Sequence, residues 1–109
     1  MECNLHIWEA RSDAPRVHRL PENIWIRLGR GREVDIEVVG DRTWSREQID
    51  IKWDGAKCHV HQVSRARASL IVDDEVVVEA WVEGGATLLV GQTVLEFRTE
   101  MGSSDCEAA

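Results

Sequence analysis

At 109 residues the chain is long enough for one domain with a single core and too short for two. Twenty acidic residues against thirteen basic ones leave a net charge of −7, which argues against a general binder of nucleic acid or of an acidic membrane surface. Eleven of the thirteen basic residues are arginine, and six of them (Arg30, Arg32, Arg42, Arg46, Arg65, Arg67) fall in three short stretches. A basic spot on an acidic body suits one anionic group on a partner, not a long polyanion.

Apolar residues recur with period two along nearly the whole sequence, the pattern of half-buried strands rather than of amphipathic helices. Leu5 and Ile7 alternate with His6 and Trp8. Residues 10–23 carry Ser12, Asp13, Pro15 and Pro21 and read as a connection with one short strand around Val17. Ile24, Ile26 and Leu28 alternate with Trp25 and Arg27. Ile49, Ile51 and Trp53 alternate with Asp50 and Lys52, and Asp54-Gly55 then turns the chain into a return strand through Cys58 and Val60. Leu70 to Val72, a turn at Asp73-Asp74, and Val76 to Val78 with Trp81 follow. Thr87 to Val90 and Val94 to Phe97, joined by Gly91-Gln92, complete the pattern. The arrangement predicts an all-β antiparallel sandwich or barrel over residues 1–101, with a small, polar, flexible tail at residues 102–109. No internal repeat and no second domain is visible.

The cysteines, Cys3, Cys58 and Cys106, are three in number and lack metal-like spacing, which points to free thiols in a reducing, cytoplasmic setting. No leader segment or bilayer-length apolar run is seen. Cys106 stands four from the end, as in prenylation boxes, but Glu107 and the lack of a polybasic stretch argue against that reading. His59 and His61 share a strand face, yet no further ligand is spaced to join them and Cys58 points the other way, so no metal is expected. Catalysis finds no support either. Ser45 lacks a histidine base in its motif, no glycine-rich loop opens a helix, and no paired carboxylates stand at a cleft-like position. No cofactor is implied.

Two segments remain, Leu28-Gly29-Arg30 and Trp44-Ser45-Arg46-Glu47-Gln48, each where one strand-like run stops and the next begins. Arginine and serine on rigid loops can hold a phosphate, the guanidinium offering a planar fork of donors and the hydroxyl one more. The bland alternatives are an Arg30 paired with Glu33 or Asp35, a Ser45 that only caps a turn, and a solubilising loop at Arg65 and Arg67. Five tryptophans without a tyrosine suggest core and sheet-face packing, with Trp44 set apart because it lies in the loop itself.

Taken in order with Asp35-Ile36, Val63-Ser64 and the closing Gly85…Leu88-Leu89-Val90-Gly91…Val94-Leu95-Glu96-Phe97-Arg98, these segments resemble the forkhead-associated (FHA) domain over roughly residues 3 to 99. The resemblance implies an antiparallel β-sandwich of about eleven short strands. It further implies a non-enzymatic module that binds a threonine-phosphorylated protein or peptide, without nucleic acid or membrane. Carried over by position, it implies that Arg30 grips the phosphate and that Ser45 meets it through hydroxyl and amide, with Arg46 alongside. Trp44, Ser64, Arg65 and Arg67 are the further candidates for ligand or partner contact, Trp44 as a wall of the site. The sequence departs from the family pattern twice. Gln48 stands where the family has a bracing histidine. In Val63-Ser64-Arg65-Ala66-Arg67, Arg65 stands at the family's Ser/Thr position, Ala66 at the asparagine that clamps the peptide backbone, and Arg67 at the glycine. A second reading is therefore a degenerate FHA-like domain that binds protein without phosphate.

Overall fold

The alternating runs become eleven strands in the computed structural model, which describes residues 2–10 and 12–99. The expected tail at residues 102–109, with Cys106, lies outside the described residues. In chain order the strands are β1 (Cys3–Trp8), β2 (Arg16–Leu20), β3 (Ile26–Gly29), β4 (Ile36–Glu37), β5 (Ile49–Trp53), β6 (Lys57–Gln62), β7 (Leu70–Val72), β8 (Glu75–Val77), β9 (Glu79–Glu83), β10 (Thr87–Val90) and β11 (Thr93–Thr99). They form a six-stranded sheet, β2-β1-β11-β10-β7-β8, and a five-stranded one, β4-β3-β5-β6-β9. Pairing is antiparallel except between β3 and the two-residue β4, which run parallel. Among the described residues no helix is long and apolar enough to cross a membrane, and no three His, Cys, Asp or Glu side chains are grouped to hold a metal ion.

Alternation decides which side chains fill the space between the sheets. Cys3, Leu5 and Ile7 from β1 and Leu95 and Phe97 from β11 enter it from one sheet, and Ile49, Ile51, Trp53, Cys58 and Val60 from the other. Each large apolar side chain so enclosed contributes about 1.5–3 kcal/mol. Burial pushes the Cys3 thiol up to about 11 and the Cys58 thiol up to about 12, so neither carries thiolate at neutral pH. The turns use the chemistry their residues offer. The Asp54 carboxylate accepts from the amides of Ala56 and Lys57 at 2.8 and 2.7 Å, and Gly55 takes the left-handed φ of 100°. Asp73 and Asp74 both adopt positive φ, 51° and 67°, as a two-residue hairpin loop requires.

The segment read as Val76 to Val78 with Trp81 serves both sheets: the chain passes from the six-stranded to the five-stranded sheet at Val78, leaving β8 on one and β9 on the other. The Val78 carbonyl accepts from the Gln62 amide at 2.8 Å, which starts the new pairing with β6. The β3 run is also shorter than its pattern: Ile24 and Trp25 precede the strand and are 53% and 44% exposed.

Candidate functional site

Three loops, after β3, before β5 and after β6, are laced together at one end of the sandwich. Beyond β3 the backbone keeps pairing: the amides of Arg30 and Gly31 donate to the carbonyls of Ser45 and Arg46 at 3.0 and 3.1 Å, and the Gln48 amide to Leu28 at 2.9 Å. Gly29 is required by this closeness. A Cβ there would sit inside the Arg46 carbonyl oxygen, so any other residue must push the two loops apart.

Gln48 is fully buried and occupies both ends of its carboxamide. Its Oε1 accepts from the amides of Ser45 at 2.9 Å and Ala68 at 3.4 Å, and its Nε2 donates to the Ala68 carbonyl at 2.9 Å. It thereby braces the Ser45 loop against the loop after β6. The bond from Ser45 corrects one expectation: the Ser45 amide is already committed to Gln48 and is not available to a phosphate. The hydroxyl is differently placed. Its oxygen accepts from the Arg67 amide at 2.7 Å, which leaves its own proton to be donated outward.

Trp44 stands at the base of the groove between these loops. Its side chain is completely buried and its indole Nε1 donates to the Val90 carbonyl at 2.8 Å, so it anchors to the core the loop that borders the groove. Beside it lies Asp41, which the sequence reading missed. Its buried carboxylate accepts from the Thr43 amide at 2.9 Å and the Thr43 hydroxyl, from the Gln92 amide at 2.7 Å and from the Thr93 hydroxyl at 2.8 Å. Burial pushes this carboxyl up, but the hydrogen bonds from Thr43, Thr93 and Gln92 outweigh it and hold Asp41 below the ordinary value. The spacing Asp41-Arg42-Thr43 is an Asx-turn pattern and was the available signal; its reach to the β10–β11 turn was not.

The arginines divide by location. Away from these loops, Arg16 pairs with Glu9 at 2.9 Å, Arg19 with Glu2 at 3.3 Å, Arg98 with Glu96 at 2.9 Å, and Arg27 with Asp50 at 2.7 Å and Glu47 at 2.8 Å. At the loops, Arg30, Arg32, Arg42, Arg46, Arg65 and Arg67 form no ion pair with any described residue. Arg30 donates from Nη1 to the Arg42 carbonyl at 3.2 Å. Asp35, one partner proposed for it, instead accepts from the Arg27 amide at 2.8 Å. Glu47, two residues from Ser45, would repel an anion, and Arg27 neutralises it from the sheet.

A groove of about 1050 Å³ opens here, lined by Arg30, Arg32, Ser45, Arg46 and Arg67, with Glu33 and Glu37 also on its wall. The structure thus brings together Arg30, Ser45, Arg46 and Arg67. Ser64 and Arg65 are exposed but do not line the groove, since the chain turns at Arg65 with φ 69° and the Ala66 amide closes the turn onto Val63 at 3.0 Å. Arg67, not residue 66, is what this loop presents to the groove.

No family model and no curated protein sequence matches the chain. Solved structures do. The FHA domain of the CT664 protein from Chlamydia trachomatis superposes with a TM-score of 0.79 at 13% identity, covering 91% of this chain and 98% of that one. A structure from a study of phosphothreonine-dependent FHA domain interactions gives 0.72 at 20% identity, over 89% and 97% of the two chains. The FhaA FHA domain complexed with the intracellular domain of Rv3910 gives 0.70 at 20% identity, over 86% and 99%. At such identities the likeness is one of fold, and the fold of this chain is that of the forkhead-associated domain.

Proposed function

We propose that the chain is a non-enzymatic phosphothreonine-binding module that docks onto a kinase-modified protein. The observation that carries this reading is the groove itself: guanidinium groups without carboxylate partners gather around a serine hydroxyl whose own proton is free. A phosphothreonine brings about −1.5 to −2 charges and three acceptor oxygens. Arg30 and the Ser45 hydroxyl donate to the phosphoryl oxygens, and Arg46 and Arg67 lend charge and further donors from either loop. Two or three charge-assisted bonds at roughly 1.5–3 kcal/mol each account for most of a micromolar affinity, about −8 kcal/mol. The structural neighbours include an FHA domain studied for phosphothreonine-dependent interactions, which supports the same reading.

With Ala66 in place of a clamping asparagine, and not on the wall of the groove, the peptide backbone is held mainly through its phosphate. Flanking residues are then read weakly, and phosphothreonine is preferred to phosphoserine only modestly. The reduced, buried Cys3 and Cys58 suit a cytoplasmic protein, and we take residues 1–101 as the binding domain.

A phosphothreonine peptide library with unphosphorylated copies as control, read by calorimetry on the best binders, tests this. Micromolar binding that disappears without phosphate is expected. Equal binding of both forms would replace this reading with a phosphate-independent one.

A further inference from the structure

The outward face of the five-stranded sheet carries two rows of side chains that cross β3, β5, β6 and β9 in order. Register places Lys52 beside His59 and His59 beside Trp81, and Trp25, just before β3, extends this row. The Trp25 ring lies 5.3 Å below the Lys52 ammonium and 5.2 Å from His59, and His59 stacks on Trp81 at 4.0 Å with ring planes 9° apart. The second row runs Arg27, Asp50, His61, Glu79. Trp25 and Trp81 are 44% and 58% exposed, although tryptophan is the residue most often found as a binding anchor.

Each row ends in groups that complement its own other end. A two-fold axis running along the strands between β5 and β6 reverses the order of both rows. It sets Trp25 against Trp81 of a second copy, Lys52 against its His59, Arg27 against its Glu79, and Asp50 against its His61. Only a self-complementary patch can form such an isologous contact. Arg27 has capacity for it. Three of its five N–H groups are used on Asp50 and Glu47, leaving two for a further carboxylate. Twisted sheets stack face to face with strands nearly aligned, as this axis requires.

We infer that this face is the interface of a homodimer, with a second copy of the chain as its occupant. The groove residues Arg30, Ser45 and Arg67 lie on loops beyond the strand ends, so the pair presents two grooves to a partner. Four strands at about 4.8 Å each make a face only about 19 Å across, which is small for a specific interface, so the dimer is weak and concentration-dependent. Repulsion between two chains of net charge −7 is screened at physiological salt.

Sedimentation of the full chain from about 2 µM to about 500 µM, the range suited to a small interface, tests the inference. The weight-average mass should rise toward that of two chains. Trp81→Ala and Glu79→Lys, both on exposed positions, should each weaken the association at least about tenfold. Leu89→Lys, on the outer face of the other sheet, should leave it unchanged. A wild-type chain that stays monomeric throughout, or a Trp81→Ala variant that associates like the wild type, would overturn the proposal.

Discussion

The amide of Arg67 donates to the Ser45 hydroxyl at 2.7 Å, so a single side-chain oxygen fastens the loop after β6 to the loop before β5. That bond also sets the direction of the hydroxyl. With its oxygen accepting from inside the protein, Ser45 faces the groove as a donor, the polarity an anion needs. Structure and chemistry meet in one atom.

Arg30→Ala should abolish phosphopeptide binding while shifting the melting temperature by no more than a couple of degrees (about 0.5 kcal/mol). Among the described residues its one side-chain hydrogen bond, to the Arg42 carbonyl, is on the surface, and the backbone bond to Ser45 survives the substitution. Arg30→Lys should also bind more weakly because lysine lacks the planar fork. Calorimetry with one phosphopeptide, beside a thermal melt, checks both; wild-type affinity in Arg30→Ala would remove this residue from the grip.

Arg67→Ala should weaken phosphopeptide binding by about 1–2 kcal/mol, the worth of a charge-assisted bond, and Arg65→Ala by less than about 0.5 kcal/mol. The two arginines are one residue apart, yet only Arg67 lines the groove. Equal losses would mean that the loop moves on binding and brings Arg65 in.

Asp41 should make the chain acid-sensitive. Its carboxyl lies below its ordinary value when folded, so the stability it contributes is complete above the unfolded pKa, about 3.9, and is lost as pH falls through the folded one. Thermal melts from pH 7 down to pH 2.5 should therefore show a declining acid limb that Asp41→Asn flattens. Asp41→Ala should cost about 2–4 kcal/mol at pH 7, since it strands the Gln92 amide and the hydroxyls of Thr43 and Thr93.

Trp53→Ala should destabilise the fold by about 3–5 kcal/mol, because Trp53 is 1% exposed on the strand face it shares with Ile49 and Ile51. Chemical denaturation measures it. A cost below about 1 kcal/mol would place that face outside the core.

The β5 face could be read from the sequence because its burial follows a strict period of two over neighbouring residues. Trp44 could not. It sits in a polar loop without periodicity, and its indole is held by the Val90 carbonyl, 46 residues away, within the core cluster. The passage of the chain between sheets at Val78 is hidden for a related reason. Val76, Val77 and Val78 are all apolar, so the change of phase from Val77 inward on β8 to Ala80 and Val82 inward on β9 leaves no mark in the sequence. The grouping of Arg30, Ser45 and Arg46 was legible through motif order, whereas the commitment of the Ser45 amide was not, since it depends on which of Gln48's atoms faces inward. Arg65 and Arg67 looked equivalent until the left-handed turn at Arg65 separated them.

Gln48 holds the loops together with a carboxamide, a group that neither takes up nor releases a proton between about pH 5 and 8, the range in which an ordinary histidine titrates. The frame of the groove is thus indifferent to mild acidification. Any change in affinity over that interval should follow the ligand's own second phosphate ionisation, near pH 6, and leave the loop geometry untouched. On the proposed function, acidity then acts through the charge on the phosphate and not through the frame of the groove.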